Sequence, residues 1–530
     1  MNRAAVYLNR RLEGQAYADL WTREQYAVGP GGFTQLPQFV VIPQSTEDIT
    51  RTLKFCWQLA EKGTQLPVVA RGSGSDATGA AQTHGAAMDL SQLSGVEEYD
   101  GKQGLLRMQA GATIASCQAF LSQYDQELAV DFGNFEQNRA AATIGGAIAG
   151  NKFAYDSGAV DAIDRLEVVL SNGTTIETGY LSRRDVEQKK QLTGFEGEIY
   201  RGIDTIYEEY VDTISMLSNQ ALPSGLGYPG IGQLRDEKGG MDLTPLFVGS
   251  QGTLGIISEI IMRVGPKAQF SGGMAIKLAH GGAMYRAAED VLGLEPTQAA
   301  ILAGSFAYIA DASGRMPADF GAVSSDDAIM VCRWDNVPER KMSKIFKRIA
   351  QLFQDFPEGM LQLIEDESDV LWCQLQSLQE FAVARDERGF VPKFFGRMAV
   401  PSLDGNDFRS RLGRIEAAQK VTLPWRYDMN SGEIYFYPVC HNEKLVDRQG
   451  MMGLLMAVSE VVQSVNGVVV ASGGEGQIKA ATAFKAVSDA EMALHEAIRA
   501  LFDPHRILQV AAKRPVQATT IMRQIGPGGA

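Results

Sequence analysis

The pattern of hydrophobic and polar positions differs between two parts of the chain. The first part begins with a strand–helix–strand pattern. Short β-branched runs at Phe39–Ile42 and 67–70 predict strands, because each is four residues long and is bounded by proline or glycine. Between them, apolar residues from 49 to 60 recur at helical spacing. Ser45 is placed to cap that helix, with Asp48 as a short substitute for the glutamate of a capping box.

After about residue 266, strand patterns alternate with longer amphipathic helix patterns. The predicted strands lie at 274–278, 328–333, 396–400 and 433–437. The predicted helices lie at 339–353 and 443–465. Strands and helices in this arrangement are typical of an antiparallel sheet covered by helices. We therefore expect a second domain of the α+β class.

Composition and charge exclude two classes of partner. The 530 residues include 49 Lys and Arg against 63 Asp and Glu, which gives a formal net charge of -14. Nucleic acid and anionic membrane surfaces require a positive patch, so neither is expected as the main partner.

No apolar run approaches the roughly 18 residues of a membrane span, and the first residues lack the apolar core of a signal peptide.

The cysteines point to a reducing compartment. The chain has five of them, none in a C-x-x-C pair, at positions 56, 117, 332, 373 and 440. Scattered cysteines of this kind are typical of free thiols, because disulfides persist only in oxidising compartments. We therefore expect a cytoplasmic protein.

Glycine is the one residue type that departs strongly from the average, with 56 of 530 residues against a usual fraction of about 7%. The first cluster runs from Arg71 to Gly79 and directly follows a predicted strand. Backbone N–H groups in such a loop converge into a nest for an anion, and a diphosphate is the natural guest. A Rossmann dinucleotide site fits less well, because Gly72-x-Gly74 is followed by four residues before the next glycine. A plain glycine-rich surface turn remains the alternative for this loop alone.

Further motifs follow this loop in a fixed order. The ordered set is P-x-S at 43–45, R-G-S-G-S at 71–75, A-G at 110–111, T-I-G-G at 143–146, L-E-V-V-L-x-N-G at 166–173, G-S-Q-G-T-L-G-I-I at 249–257 and D-P-x-x-I-L at 503–508. This set resembles the FAD-linked oxidases of the vanillyl-alcohol-oxidase/p-cresol methylhydroxylase superfamily. It is most similar to the branch that contains D-lactate dehydrogenase, glycolate oxidase and D-2-hydroxyglutarate dehydrogenase. The resemblance covers residues 38–265 well and residues 470–513 in part.

The resemblance implies a fold of the α+β class. It implies a two-part FAD-binding domain of the vanillyl-alcohol-oxidase type, plus a substrate domain with an antiparallel sheet covered by helices. The FAD-binding domain would span 1–265, with a helical insert at about 182–240. The substrate or cap domain would span 266–470, and a C-terminal segment at 471–515 would return to the FAD domain. Residues 516–530 are expected to form a flexible tail.

The resemblance also implies which residues bind FAD. The loop from Arg71 to Asp76 would hold the pyrophosphate, and the segment at 143–151, with the backbone around Ile257, would line the flavin. The expected FAD-binding residues are Arg71, Gly72, Ser73, Gly74, Ser75, Asp76, Gly79, Thr143, Gly145, Gly146, Ala149, Asn151, Gly252 and Ile257. Members that tether the flavin commonly use a histidine beside the pyrophosphate loop. The loop here has none, and His84 lies a little downstream, so non-covalent FAD is expected.

The metal-binding and acid–base motifs of this branch are altered. Where the branch carries H-x-G-D-G-N-x-H, residues 428–435 are D-M-N-S-G-E-I-Y, so the imidazole ligands are lost and no metal is expected. Asp428 and Glu433 could bind a hard cation, although an exposed acidic hairpin is the simpler interpretation. Where the branch carries the histidine of S-G-E-H-G-I-G, this chain has Glu475. A buried carboxylate could abstract a hydroxyl proton, and the alternatives are that Glu475 caps its loop or pairs with Lys479.

The motif that binds a substrate carboxylate is altered too. The arginine of L-W-x-x-R is replaced by Leu375, and leucine cannot recognise a carboxylate in a bidentate way. Arg397 and Arg426, on neighbouring strand patterns, are candidate replacements, and Tyr435 could supply a phenol to the site. Ion-pair roles for the arginines and ordinary strand packing for the tyrosine are the alternatives.

The expected function is that of an FAD-dependent oxidoreductase. It would oxidise a hydroxyl-bearing small molecule, held between the two domains, by hydride transfer to flavin N5. The alternative is a flavin-binding protein without substrate turnover, which serves as an electron-transfer or interaction partner, because the branch's catalytic side chains are missing. A peripheral membrane dehydrogenase is a weaker alternative, since the insert at 182–219 has the mixed charge of a solvated face. The motifs name no electron acceptor, and they are compatible with a homodimer.

Overall fold

The strands of the chain form separate sheets on either side of Pro266. The computed structural model describes residues 2–525 except for residues 131, 133–140, 154–157, 221, 223, 279–281, 304–323, 325–326, 355–359, 366–390, 402–405 and 442–443. The chain divides into two units, Met1–Pro266 with Val470–Ala530, and Lys267–Val469. The segment after Val470 therefore belongs to the same unit as the N-terminal half.

The strands of the first unit alternate with short helices. Its strands are β1 Gln15–Tyr17, β2 Phe39–Ile42, β3 Val68–Arg71, β4 Ala86–Asp89, β5 Val96–Asp100, β6 Leu105–Gln109, β7 Gln126–Leu128, β8 Ile163–Val169, β9 Thr175–Glu177, β10 Tyr180–Leu181, β11 Met241–Asp242 and β12 Ile256–Pro266. Its α-helices are Arg3–Leu8, Leu20–Gln25, Thr46–Glu61, Ile114–Leu121, Ile144–Ala149, Ala159–Ala162, Arg183–Lys190, Phe195–Glu209, Val211–Ser218, Thr244–Phe247, Ala480–Ala483, Asp489–Phe502 and Ala518–Gln524.

Two sheets of the first unit carry the loops that matter for the site. In the first sheet, of order β1-β2-β4-β3, β4 pairs in parallel with both β2 and β3. The helix Thr46–Glu61 connects β2 to β3 and buries Ile49, Leu53 and Cys56. In the second sheet, of order β5-β6-β12-β8-β9, all pairs are antiparallel, and β7 also pairs with β12. The first glycine cluster starts at the end of β3, so a regular strand holds one end of that loop.

The described residues of the second unit form a seven-stranded antiparallel sheet with helices. Its strands are β13 Phe270–Leu278, β14 Gln298–Ala303, β15 Ala328–Asp335, β16 Met360–Ile364, β17 Met398–Ala399, β18 Trp425–Asp428 and β19 Glu433–Phe436, in the order β16-β13-β15-β14-β18-β19-β17. Its α-helices are Gly282–Leu292, Glu339–Leu352, Asn406–Gln419 and Leu445–Ser464. Every strand pair of this sheet is antiparallel, as the sequence predicts.

The two faces of this sheet differ in polarity. Cross-strand partners share a face, and one row of partners across six strands is apolar and buried: Ile276, Met330, Ile301, Tyr427, Ile434 and Met398. Gly272 lies on that face, and a Cβ atom there would meet Phe346 of the helix Glu339–Leu352. The neighbouring row, Lys277, Ile329, Leu302, Arg426 and Tyr435, lies on the opposite face. The helix therefore covers the apolar face, and the charged side chains project from the other.

The end of the chain differs from the sequence-based expectation of a flexible tail over residues 516–530. Residues Ala518–Gln524 form a helix. Ile521 and Ile525, four positions apart, are fully buried, and the Thr34 amide donates to the Gln524 carbonyl oxygen at 2.8 Å. The expectation is wrong up to residue 525, because two isoleucines at helical spacing bury one face of the segment.

Asp48 has a different role from the capping box that its spacing suggests. Its side chain is fully buried and accepts the backbone N–H groups of Glu13 and Gly14, both at 2.8 Å, and that of Gln44 at 3.1 Å. Ser45 still caps the helix. One carboxylate therefore ties the segment before β1 to the helix Thr46–Glu61.

We expect the Asp48→Ala variant to lose about 3 kcal/mol of unfolding free energy, because it leaves buried N–H groups without acceptors. Urea denaturation followed by circular dichroism measures this loss. Asp100→Ala is the matched control, since Asp100 accepts two N–H groups on an exposed turn, where water can replace it. Equal midpoints for the two variants would contradict the role assigned to Asp48.

Candidate functional site

A cavity in the first unit is lined mainly by the glycine clusters. Its empty volume is about 880 Å³, including space open to solvent. The wall comes from residues within 70–81, 142–152 and 251–257, together with Leu90 and Ala110. Three loops that are far apart in sequence thus meet around one space.

The first loop is held so that its backbone faces the cavity. The Asp76 carboxylate accepts the N–H groups of Thr78 and Ala80 at 3.1 and 2.9 Å, which closes the end of the loop. The N–H groups of residues 73–75 have no acceptor within the described part of the chain. Consecutive N–H groups of this kind form a nest that suits an anion.

Arg71 braces the same loop. Its guanidinium Nη1 donates to the Tyr26 carbonyl oxygen at 3.2 Å. Gly74 has a φ of +72°, and a Cβ atom there would lie 2.3 Å from Nη2 of Arg71. Burial lowers the pKa of the Arg71 guanidinium, while the Asp89 carboxylate acts in the opposite direction. Arg71 stays charged, because arginine does not lose its proton in proteins.

The second glycine cluster packs directly on the first. Thr143 caps the helix Ile144–Ala149 by accepting the Gly146 N–H at 3.3 Å. A Cβ atom on Gly72 would lie only 2.0 Å from Oγ1 of Thr143. A Cβ atom on Gly145 would lie 2.8 Å from the Cβ atom of Ala110. Glycine is needed at both positions because the neighbouring segment occupies the space of a side chain.

Lys152 is a cavity residue that the motif comparison missed. It lines the cavity, and its Nζ lies 3.2 Å from Oγ of Ser75. Together with Arg71 it gives the cavity two positive charges. A single lysine six residues after Gly146 belongs to no recognisable sequence motif. Its role at the cavity is identified only by its position beside Ser75 in the structure.

The third cluster completes the wall with Gln251, Gly252 and Ile257. The Gln251 N–H donates to the Ala149 carbonyl oxygen at 2.7 Å, which joins this cluster to the helix Ile144–Ala149. The expected FAD-binding residues Gly79 and Asn151 are outside the set of lining residues. Gly79 turns its loop with a φ of +83°, and the Asn151 carbonyl oxygen accepts the Gly473 N–H at 2.8 Å. The other twelve expected positions line the cavity.

Glu475 lies in an ion pair within the first unit. Its side chain and that of Lys513 are both 0% exposed, and Lys513 Nζ lies 3.1 Å from Oε2 of Glu475. Burial raises the pKa of the Glu475 carboxyl and lowers that of Lys513, while the ion pair opposes both shifts. Lys513 thus takes the place that the sequence suggests for Lys479, whose N–H donates to the Glu475 backbone oxygen. Glu475 is not among the residues that line the cavity.

The loop that carries Glu475 touches the cavity wall through its glycines. Gly474 has a φ of +69°, and a Cβ atom there would lie 1.5 Å from Nε2 of Gln251. Gly476 has a φ of +53°, and a Cβ atom there would lie 2.1 Å from Oγ1 of Thr78. The buried ion pair therefore anchors a loop that contacts Gln251 of the wall and Thr78 of the first glycine loop.

The remaining candidate residues lie in the second unit. Arg426 and Tyr435 are buried cross-strand partners on the charged face of the sheet. The Tyr435 hydroxyl donates to Oε2 of Glu433 at 2.8 Å. Burial, followed by the nearby Glu433 carboxylate, raises the pKa of Tyr435 well above its ordinary value, and Arg397 acts in the opposite direction. Burial also lowers the pKa of Arg426.

The described residues assign no metal site to the altered motif at 428–435. Within the described residues, no group of three His, Cys, Asp or Glu side chains could hold a metal ion. Asp428 instead accepts the N–H of Ser431 at 2.9 Å in the turn between β18 and β19. The segment at 371–375, with Leu375, lies outside the described residues.

Among the described residues, no helix is long and apolar enough to cross a membrane.

Comparisons with known proteins identify the domain that contains most of the cavity-lining residues. Residues 37–179 match the family model of the FAD binding domain. The chain is 28% identical over 273 residues to D-2-hydroxyglutarate dehydrogenase of Pseudomonas putida, a match that covers 50% of this chain and 26% of that protein. It is 22% identical over 506 residues to glycolate oxidase subunit GlcD of Bacillus subtilis, which covers 90% of this chain and 88% of that protein.

Solved structures show the same fold. The p-cresol methylhydroxylase structure superposes with a TM-score of 0.67 at 12% identity, covering 97% of this chain and 96% of that one. The 4-ethylphenol oxidase of Gulosibacter chungangensis gives a TM-score of 0.64 at 14% identity, with 97% coverage of both chains. The chain therefore shares the fold of these two structures and matches an FAD binding domain over residues 37–179, so the resemblance stated from the motifs, the predicted fold class and the FAD cofactor are confirmed.

The residues of the cavity fit FAD. The N–H groups of residues 73–75 suit a diphosphate, and Arg71 and Lys152 provide charges to neutralise it. The glycines leave space that a Cβ atom would fill, so the backbone can approach a ligand closely.

We expect Gly72→Ala to weaken FAD binding at least tenfold, because the new methyl group collides with Thr143 and displaces the second cluster. Equilibrium dialysis with FAD measures the dissociation constant. Gly265→Ala is the matched control, since a Cβ atom there meets nothing within 4 Å. Unchanged affinity in the Gly72 variant would show that the close contact does not shape the site.

Proposed function

We propose that this chain is an FAD-dependent oxidoreductase that oxidises a hydroxyl-bearing small molecule by hydride transfer to flavin N5. The observation that carries the proposal is the glycine-lined cavity within a domain that matches an FAD-binding family. Bound FAD would supply the hydride acceptor. Two relatives are named for 2-hydroxy acids, D-2-hydroxyglutarate dehydrogenase and a glycolate oxidase subunit. A 2-hydroxy acid is therefore the first substrate class to test, with divergent alcohols and sugars next.

Arg426 is the residue we propose for binding a substrate carboxylate. Its guanidinium is buried on the charged face of the second unit's sheet, beside Tyr435. Arginine offers a planar set of donors that matches a carboxylate. Arg397, with a φ of +57° and half-buried, is close enough to influence the Tyr435 phenol and is the second candidate for this role.

Tyr435 is proposed as a positioning residue whose hydroxyl oxygen accepts a hydrogen bond, and not as a base. Its raised pKa keeps the phenol protonated at neutral pH, because burial and the adjacent Glu433 carboxylate both disfavour the phenolate. Its hydroxyl is held by Glu433. Because its one proton is donated to Glu433, the phenol oxygen can accept a hydrogen bond from a substrate hydroxyl, whereas the protonated phenol cannot take up that hydroxyl's proton.

We consider two roles for Glu475, and they predict different effects of its substitution. As a general base it would accept the substrate's hydroxyl proton. As a positioning residue it would hold the loop of Gly474 and Gly476 against the cavity wall through Lys513. The full burial of both charges and their 3.1 Å contact support the positioning role, because a paired carboxylate outside the wall does not meet a substrate directly.

The substrate class is tested by anaerobic reduction of the holoprotein. We expect 2-hydroxy acids to bleach the visible flavin band, and Arg426→Met to raise the concentration for half-maximal reduction by about 100-fold, since a charged hydrogen-bonded pair contributes about 1.5–3 kcal/mol. Reduction by the methyl ester of the same acid should change little. Arg340→Met, at an exposed position, is the matched control.

The outcomes of this experiment separate the candidate functions. A flavin that dithionite reduces but no hydroxy acid, alcohol or sugar reduces would favour the alternative of a flavin-binding protein without substrate turnover. Reduction by neutral alcohols only, with Arg426→Met unaffected, would remove the carboxylate from the proposal and leave the oxidoreductase. Circular dichroism and flavin content show whether each variant is folded.

The role of Glu475 is tested with Glu475→Gln, Lys513→Met and their double variant. In the positioning role, each single variant leaves one buried charge unpaired and weakens FAD binding, while the double variant recovers part of the loss. As a base, Glu475→Gln would instead lower kcat by about 100-fold or more at unchanged FAD affinity. Measuring the FAD dissociation constant and kcat for all three variants distinguishes the two roles.

A further inference from the structure

Gln251 is a cavity residue whose side chain has no partner in the described protein. It lines the cavity and is only 8% exposed. Neither Nε2 nor Oε1 has a hydrogen-bond partner within the described residues. A buried polar group without a partner costs about 1–3 kcal/mol. Because Gln251 also belongs to the cavity wall, a ligand bound in the cavity is the partner to test for these two atoms.

The position of this side chain is tightly constrained. Gln251 has a φ of +54°, a conformation that few residues other than glycine adopt readily. Its N–H is bound to the Ala149 carbonyl oxygen, and its amide nitrogen lies against the backbone of Gly474. A Cβ atom on Gly474 would be only 1.5 Å from that nitrogen. Two separate segments therefore fix the main chain and the amide nitrogen of this cavity-lining residue.

The location of Gln251 separates it from the anion-binding loop. Thr143 touches Gly72 of that loop, whereas Ala149, at the other end of the same helix, binds Gln251. Six helical residues span about 9 Å. The loop of Gly72 and Gln251 therefore contact opposite ends of this helix, and Gln251 would meet a part of FAD other than the diphosphate.

The hydrogen-bonding groups of the Gln251 side chain determine which part of a ligand it can bind. A carboxamide is uncharged and offers donors on Nε2 and an acceptor on Oε1. The pyrimidine edge of the isoalloxazine ring presents carbonyl oxygens beside an N–H, which is the complementary arrangement. A phosphate, by contrast, would leave Oε1 without a donor.

We propose that the Gln251 carboxamide hydrogen-bonds the pyrimidine edge of the flavin ring and raises its reduction potential. Electron density on the ring carbonyls increases when the flavin is reduced, so the Nε2–H donor stabilises the reduced ring more than the oxidised ring. Gln251 is thereby a positioning and tuning residue for the cofactor. The inference rests on FAD binding, and it holds whether or not a hydroxy acid is the substrate.

The test compares Gln251→Met with Gln82→Met. Methionine keeps the length of the side chain and removes the amide. Gln82 is the matched control, because it is fully buried, both of its amide atoms also lack partners in the described residues, and it does not line the cavity. Three quantities are measured for each holoprotein: the FAD dissociation constant, the visible spectrum and the two-electron potential from dye-coupled reduction.

We expect Gln251→Met to bind FAD about tenfold more weakly, which corresponds to the loss of one hydrogen bond. Its visible bands should shift and its potential should fall, while Gln82→Met leaves all three quantities unchanged. The apoproteins of both variants should be at least as stable as the wild type, because each loses a buried amide that had no partner. Gln251→Glu, which places a carboxylate at the ring edge, should lower the potential further.

Two results would overturn the inference. Unchanged affinity, spectrum and potential in both Gln251 variants would show that the carboxamide does not touch FAD. Equal weakening of FAD and ADP binding with an unchanged spectrum and potential would place the carboxamide at the adenine ring. Failure of every hydroxy acid to reduce the wild-type flavin would count against the proposed function alone, since dithionite reduction still reports the potential.

Discussion

The cavity wall depends on segments that approach one another too closely for any side chain to fit between them. Gly72 lies against Thr143, and Gly145 lies against Ala110. Gly476 lies against Thr78 in the same way. These contacts join loops from three distant parts of the chain into one surface. Because the loops themselves expose backbone N–H groups, the same close packing that builds the wall also creates the place for a diphosphate.

A buried ion pair holds the segment that contains Gly474 and Gly476. Removing two charges from water is costly, so the Glu475–Lys513 pair contributes less to stability than its 3.1 Å distance suggests. Its effect is on specificity: a carboxylate without its lysine would be left unpaired in the interior. The loop of Gly474 and Gly476 is thereby restricted to one arrangement, and Gln251 with it. A residue at the position of a family's catalytic histidine thus acquires a physical role that does not require contact with substrate.

The second unit shows how a regular sheet sorts its side chains. Arg426 and Tyr435 share a face because they are cross-strand partners, and the apolar row with Ile301 occupies the other face under a helix. The pairing of Arg426 with Tyr435 depends on register, and a shift of one residue would place them on opposite sides.

Local pattern was enough to predict the strand–helix–strand opening and the antiparallel second sheet, since each rests on short-range geometry. The order of the motifs predicted FAD through their resemblance to a known family. The tertiary structure alone decided the rest, because it depends on which distant segments meet. It brought Lys152 to Ser75, paired Glu475 with Lys513 in place of Lys479, and left the Gln251 amide without a partner at the cavity. It also buried Ile521 and Ile525 in what the composition suggested was a loose tail. A single lysine, glutamate or glutamine has no periodicity, so its role is set by its neighbours in space and not by its neighbours in sequence.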